Sequence, residues 1–347
     1  MTQQVELVGI NLESVQRWLQ ENVDGLSGTP QLELVSGGRS NLTYQVTDAA
    51  GRRFALRRPP TGGVLSTAHD VSREWRFTSA LAPTGFPVPP PVAYCDDTDV
   101  TGAEFYVMEF VDGQVLADAE AGAAFPVEAR PRVAQQTIDV LVALHSVDPA
   151  EVGLADMMRN TSYIERQLRR WKAQLDSSTG YSDPLLDEVH GLLLANVPTQ
   201  TSGIVHGDYR PGNMSYAPDG TVVAVFDWEL ATTGDPMADL AWLMATWQEP
   251  GEHMPPTTPG PSTVEGFGTR DQLIKQYADA SGRDVSNLPY WIGFSRWRSA
   301  CIGAGVRARY AAGHMADDGY DVDAERGEDS LRRMAEAARA ALREVGI

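Results

Sequence analysis

Three short runs between residues 31 and 58 alternate apolar and polar positions: 31–36, 42–47 and 53–58. Ser36-Gly-Gly-Arg-Ser-Asn41 separates the first two, and Asp48 to Gly51 separates the next two. A period of two between turn residues predicts a three-strand antiparallel meander with a glycine-rich first turn. Before it, Leu12, Val15 and Leu19 fall on one face of a short amphipathic helix over 11–22. After it, helical spacing runs over 66–81 and stops before Ala82-Pro83-Thr84-Gly85. Two more strands are predicted at 92–95 and 104–110, and Val111-Asp-Gly-Gln114 breaks the pattern. From 126 onward the spacing is mainly helical, over 128–146, 158–176, 184–195, 235–247, 270–281, 288–313 and 324–345. Residues 204–229 interrupt it with two short strands and a polar loop. The stretch 249–266 is too rich in Pro, Gly and Thr to be regular, which predicts a mobile surface loop.

This pattern is α+β. It predicts a first lobe over 1–110, with a small antiparallel sheet and one main helix. A hinge over 111–114 and a larger, mainly helical lobe over 115–347 follow. The length of 347 residues exceeds what one core usually serves, which agrees with two lobes.

A formal charge of −19 argues against a protein that coats nucleic acid or an anionic membrane, and does not by itself choose a partner. No apolar run is long enough to cross a bilayer, and the first residues lack the basic and apolar regions of a signal peptide. The two cysteines, Cys95 and Cys301, lie far apart in sequence and are expected to be buried free thiols in a reducing cytoplasm.

Candidate chemistry lies in 205–229. His206-Gly-Asp208 is followed by Asn213, and Val222-Val-Ala-Val-Phe226 runs into Asp227. A loop leaving a strand can set Asp208 beside a bound hydroxyl, and Asn213 is then near enough to share a cation with Asp227. Taken alone, Asp-x-x-Pro-Gly-Asn also reads as a plain turn, since all these residues form turns. Asp227 favours chemistry, because a carboxylate ending an apolar strand needs a cation or several donors. Phosphoryl transfer from a magnesium nucleotide uses such a set: one carboxylate for the attacking hydroxyl, a carboxamide and a second carboxylate for Mg²⁺.

Three motifs carry a resemblance: His206-Gly-Asp208-Tyr-Arg-Pro-Gly-Asn213, Phe226-Asp227-Trp228-Glu229, and Gly234-Asp235-Pro236 with Asp239-Leu240. With them the chain resembles the aminoglycoside phosphotransferase and choline kinase superfamily, of protein-kinase-like fold, from about 30 to 315. Phe54-Ala-Leu-Arg57-Arg-Pro-Pro60, Ala68-His-Asp-Val-Ser-Arg-Glu74 and Phe105-Tyr-Val-Met-Glu-Phe-Val-Asp-Gly113 are similar to the phosphotransferase domain found fused to, or encoded near, acyl-CoA dehydrogenases.

The resemblance implies ATP and Mg²⁺ as cofactors. It makes Asp208 the catalytic base or hydroxyl-orienting carboxylate, and Asn213 and Asp227 the Mg²⁺ ligands. His206 becomes a structural member of the loop, and Asp239 its brace, acting through His206. In the first lobe Ala55 flanks adenine, Arg57 reaches the phosphates and Glu74 pairs with Arg57. Most kinase-like folds carry Lys where this chain has Arg57, and the adjacent Arg58 leaves the register open. Gly37, Gly38 and Ser40 of the glycine-rich turn meet phosphate oxygens, and Met108, Glu109, Phe110 and Val111 form the adenine-binding hinge.

The implied acceptor is a hydroxyl of a small molecule: a hydroxyacyl-CoA or hydroxy acid, with an aminoglycoside or other antibiotic as the alternative. A non-catalytic nucleotide-binding regulator is a third reading. Arg210, Trp228, Glu229, Arg296 and Arg298 are candidate acceptor contacts, although each arginine also reads as a surface or structural residue. Tyr290, Trp291, Phe294 and Trp297 sit at helical spacing and read first as core. A monomer or homodimer is expected.

Overall fold

The computed structural model describes residues 7–36, 41–61, 70–159, 161–178, 183–252, 259–311 and 325–347. The chain divides into two compact units, Met1–Asp112 with Val223–Ala231, and Gly113–Val222 with Thr232–Ile347. In chain order, the elements up to residue 112 are α1 (Leu12–Asn22), β1 (Gln31–Ser36), β2 (Leu42–Thr47), β3 (Arg53–Arg58), α2 (Val71–Leu81), β4 (Pro91–Cys95), α3 (Thr98–Thr101) and β5 (Phe105–Glu109). There follow β6 (Gln114–Val115), α4 (Ala119–Ala124), α5 (Arg130–Ser146), α6 (Tyr163–Ser177), α7 (Pro184–Ala195), β7 (Gly203–Val205), β8 (Met214–Tyr216), β9 (Val222–Val225) and β10 (Thr232–Gly234). The helices α8 (Met237–Thr246), α9 (Arg270–Ser281), α10 (Leu288–Ala311) and α11 (Glu325–Glu344) complete it. The α+β expectation and the meander at 31–58 are both observed. Of the expected helix at 66–81, residues 66–69 lie outside the described residues, as do 253–258 of the expected surface loop.

The first unit is a five-stranded antiparallel sheet in the order β1-β2-β3-β5-β4. Alternation along β3 sends its side chains to two different layers. Phe54 and Leu56 join Phe105, Val107, Val15 and Leu19 in one buried cluster, under α1. Ala55 joins Val71, Tyr106 and Met108 in a second cluster on the other face, under α2. Asp70 caps α2 by accepting the Arg73 backbone N–H at 3.0 Å, a contact type worth about 1 kcal/mol. The cap sets the phase of α2, so that Glu74, Phe77 and Leu81 are all buried.

The segment Val223–Ala231 belongs to this first unit. Val225 N–H donates to Pro87 O at 2.8 Å, and Arg73 Nη1 donates to Ala231 O at 3.2 Å. Trp228 is buried, stacked 6.4 Å from Phe77 and edge-on to Phe86 at 5.8 Å, and its indole N–H donates to Val225 O at 3.0 Å. Trp228 is therefore packing, which corrects its expected role as an acceptor contact.

In the second unit β7 pairs with β10, and β6 pairs with β8, both antiparallel. Helices supply the rest. Tyr290, Trp291, Phe294 and Trp297 are all buried, as the helical spacing implied. Two hydrogen bonds fix α10 onto α7: Tyr290 OH to Leu193 O at 2.8 Å and Trp297 N–H to Leu186 O at 3.0 Å. Both cysteines are buried free thiols. Among the described residues no helix is long and apolar enough to cross a membrane.

Candidate active site

Each unit carries a cluster of charged side chains. In the first unit, Arg57 leaves β3 on the Ala55 face and is held at both ends. Its Nε lies 2.6 Å from Glu74 Oε2, and its Nη2 pairs with Asp227 Oδ1. Glu74 has no solvent exposure and also accepts from Asn41 Nδ2 and, at 2.8 Å, from Tyr106 OH. Burial pushes the Glu74 carboxyl above the usual range, opposed by the Arg57 charge. Burial works against the Arg57 cation too, but Glu74 and Asp227 override it and hold the guanidinium above the ordinary arginine value. Arg58, the register alternative, points elsewhere and donates to Pro59 O and Thr101 O, both at 3.1 Å.

Asp227 sits at φ 68°, ψ 57°, the left-handed conformation, and is alone among the described non-glycine residues in having positive φ. Such a residue costs on the order of 1–3 kcal/mol and persists only where its surroundings impose it. Here the imposing groups are the buried Trp228 that follows and the Arg57 pair. Oxygens of Glu74, Asp227 and Glu229 lie within 4.8 Å of one another, a set of hard donors that suits a divalent cation. In the hinge stretch, Glu109 N–H goes to Pro90 O at 2.9 Å and Phe110 N–H to Arg53 O at 3.3 Å, whereas Val111 N–H has no backbone acceptor among the described residues. Gly37, Gly38 and Ser40 lie outside the described residues.

In the second unit, β7 delivers His206-Gly207-Asp208. Gly207 takes φ 86°, which a side chain would resist, and the chain turns there. Asp239, fully buried on α8, accepts the backbone N–H of His206 at 2.6 Å and of Gly207 at 2.8 Å. It thus braces the loop through the backbone of His206 and Gly207. The imidazole Nδ1 instead lies 3.1 Å from the Asp208 N–H, which donates to it.

The Asp208 carboxylate is met on both oxygens. Asn213 Nδ2 donates to Oδ2 at 2.7 Å and to the Asp208 backbone O at 2.8 Å. With its amide nitrogen so used, Asn213 keeps Oδ1 as its free ligating atom. Trp242 Nε1 donates to Asp208 Oδ1 at 2.6 Å. Arg210, partly exposed, approaches the same carboxylate at 3.4 Å. Arg298 is buried, donates to Gly207 O at 2.8 Å, and lies 4.3 Å from the Trp242 ring centroid. Arg296 turns to α11 and donates to Ala337 O at 3.2 Å. Each of these arginines thus donates to a backbone carbonyl of its own unit.

Sequence reasoning missed Trp242 and His145. Trp242 stands three residues after Asp239, on the same helix face, a spacing that could have flagged it. His145 is buried on α5, with Nδ1 2.8 Å from Tyr277 OH and Nε2 3.5 Å from Asp239 Oδ2. Burial lowers its pKa from the ordinary 6.5, although Asp239 opposes the shift. The unfolded chain then binds a proton that the native state refuses. Stability at this residue is complete above about 6.5 and is lost as pH falls through the lower folded value. Thermal midpoints measured from pH 8 to 5 should fall on the acid side, and His145→Gln should flatten that fall. An unchanged slope would sink the assignment.

The profile of the Phosphotransferase enzyme family matches residues 31–284, well over half of the chain. The chain belongs to the phosphotransferase enzyme family. This is the family read from the three motifs around Asp208, Asp227 and Asp239. Within the family setting, acyl-CoA dehydrogenase family member 11 of Gallus gallus is 34% identical over 318 residues, covering 87% of this chain and 40% of that protein. The chain spans about two fifths of the length of the curated relatives it matches first. Among solved structures, a Ralstonia eutropha JMP134 protein provisionally named an aminoglycoside phosphotransferase superposes with TM-score 0.78 at 29% identity, over 96% of this chain and 98% of that one. Amicoumacin kinase, solved with AMP-PNP, Ca²⁺ and Ami, shares the fold: TM-score 0.62 at 15% identity, over 96% of this phosphotransferase and 94% of that chain.

Proposed function

We propose that this phosphotransferase is a small-molecule kinase that moves the γ-phosphoryl group of ATP, with Mg²⁺, to an alcohol. The observation that carries the reading is the setting of Asp208. Its two carboxylate oxygens are fixed by side-chain donors while the residue stays partly open to solvent. A carboxylate so held suits accepting a hydrogen bond from an incoming hydroxyl.

The residues fit a divalent cation and a nucleotide. Asp227 and Glu229 offer hard anionic oxygens, Asn213 keeps a carbonyl oxygen for ligation, and Arg57 supplies a cation for phosphate. Asp227 would hold the cation, whose charge would offset that of the phosphate chain. The complexes of amicoumacin kinase with AMP-PNP and Ca²⁺ support nucleotide and divalent metal use. Val111 N–H is the hinge donor left for an adenine edge.

The acceptor hydroxyl would donate to Asp208, and its oxygen would form the new bond to the γ-phosphorus as the bridge to the β-phosphate breaks. The proton passes to Asp208 late in that step. Arg57 would turn its Nη end from Asp227 toward the phosphates while Glu74 keeps hold of Nε. Positioning and electrostatics supply most of the rate in this chemistry.

A hydroxylated acyl-CoA or related hydroxy acid is the favoured acceptor, supported by relatives that are named acyl-CoA dehydrogenases. The name of the Ralstonia protein favours an aminoglycoside instead. ATP consumption and ³¹P transfer should be followed against hydroxyacyl-CoAs, hydroxy acids, aminoglycosides and macrolides. Phosphate on a hydroxyacyl-CoA is expected. A signal with aminoglycosides alone would reverse the preference, and ATP binding with no transfer or hydrolysis would favour the regulator.

A further inference from the structure

Three consecutive loop residues are held by α8 and α10 of the second unit. Asp239 takes the N–H groups of His206 and Gly207, Arg298 takes Gly207 O, and Trp242 reaches the Asp208 carboxylate. Trp242 and Asp239 are one helical turn apart, so a single face of α8 sets both the loop backbone and the side chain it presents. Resting on the kinase reading above, we infer that Trp242 is a positioning residue for the acceptor: its indole N–H fixes the plane in which Asp208 receives the hydroxyl.

The carboxylate of an aspartate turns about two torsions, and one donor leaves it free to rotate about that contact. A second donor on the other oxygen defines its plane. Asn213 holds Oδ2 and Trp242 holds Oδ1, at 2.7 and 2.6 Å. Each oxygen accepts more than one hydrogen bond, so a lone pair remains for the hydroxyl.

The indole is itself clamped. Arg298 is a buried cation with no carboxylate at ion-pair distance among the described residues, and its Nε has no partner. A buried charge in this state is costly unless other groups compensate it. The compensation visible here is Gly207 O and two indole faces, Trp242 at 4.3 Å and Trp171 at 5.2 Å. Swinging Trp242 away would remove the nearer face from the guanidinium. A buried indole N–H needs some acceptor in any case. A residue present for packing alone would stabilise the fold without affecting the reacting geometry, and the two roles give different kinetics.

The test uses Mg·ATP alone, with water as acceptor and phosphate release as the readout. Trp242→Phe keeps a ring over Arg298 and removes the N–H. Its kcat should fall by about 10- to 100-fold, the cost of a misplaced group, with KM for ATP within about twofold of the parent. Trp242→His restores a ring N–H and should recover part of kcat. In a ¹⁵N-indole spectrum the Trp242 resonance should lie downfield and move upfield in Asp208→Asn. An unchanged kcat in folded Trp242→Phe would overturn the inference, as would a loss seen only in KM or an indole resonance indifferent to Asp208. Asp208→Asn kept beside it separates the two failures. If that variant turns over normally, Asp208 lies outside the chemistry and this inference falls with that part of the kinase reading. If it is dead while Trp242→Phe is fully active, only the role of Trp242 fails.

Discussion

Asp208→Asn should lower phosphoryl transfer by about 10²- to 10⁴-fold, the range spanned by a positioned acid or base. The fold should survive. The carboxamide is the same size, and the backbone that carries it is tied independently by Asp239 and Arg298. One of the two side-chain contacts must be lost, because Trp242 and Asn213 both donate and a carboxamide has one accepting oxygen. ATP should still raise the thermal midpoint, since the residues proposed to meet the nucleotide lie mostly in the first unit. Turnover by quenched-flow or coupled assay and midpoint by scanning fluorimetry check the two halves. Turnover close to that of the parent would remove Asp208 from the chemistry.

Arg57→Met should be the most damaging single change to the stability of the first unit. It strips the cation from a fully buried Glu74 and leaves a carboxylate supported, among the described residues, by Asn41 and Tyr106. Breaking a buried pair from one side costs about 3–5 kcal/mol, because the remaining charge is uncompensated. The loss should appear as an earlier urea midpoint, together with loss of the ATP-dependent shift. Adding Glu74→Leu to Arg57→Met should recover much of the stability and none of the activity, since an apolar pair removes the stranded charge. Arg57→Lys should fall between: a point charge cannot bridge Glu74 and Asp227 as a planar fork does. If the double variant were less stable than Arg57→Met, the stranded-charge account would fail.

The first unit was largely legible because its information is local. Alternation at 53–58 already sends Arg57 to the same face as Ala55, and the breaker Ala82-Pro83 ends α2 where the structure does. That Asp208 and Asp227 would have close partners was legible, because polar residues at apolar strand ends demand them. What stayed hidden depends on which helix lies against which loop. Trp242 and His145 are ordinary residues of apolar helices until α8 and α5 are laid beside the loop. Arg298 reads as a surface charge because nothing in its neighbours along the chain announces two indole faces. Trp228 beside Asp227 invites a site role, and only the distant Phe77 and Phe86 make it core.

The completion of the first unit by Val223–Ala231 bears on how the protein is made. Phe77 and Phe86 leave the ribosome without the indole that covers them, and the 110 residues of Gly113–Val222 must be synthesised first. At about 5–20 residues per second that delay is roughly 5–20 s. During it the nascent chain displays an aromatic surface that chaperones can hold and neighbouring chains can stick to. Slow translation between residues 113 and 222 would therefore lower the yield of native protein, and faster translation of that stretch would raise it.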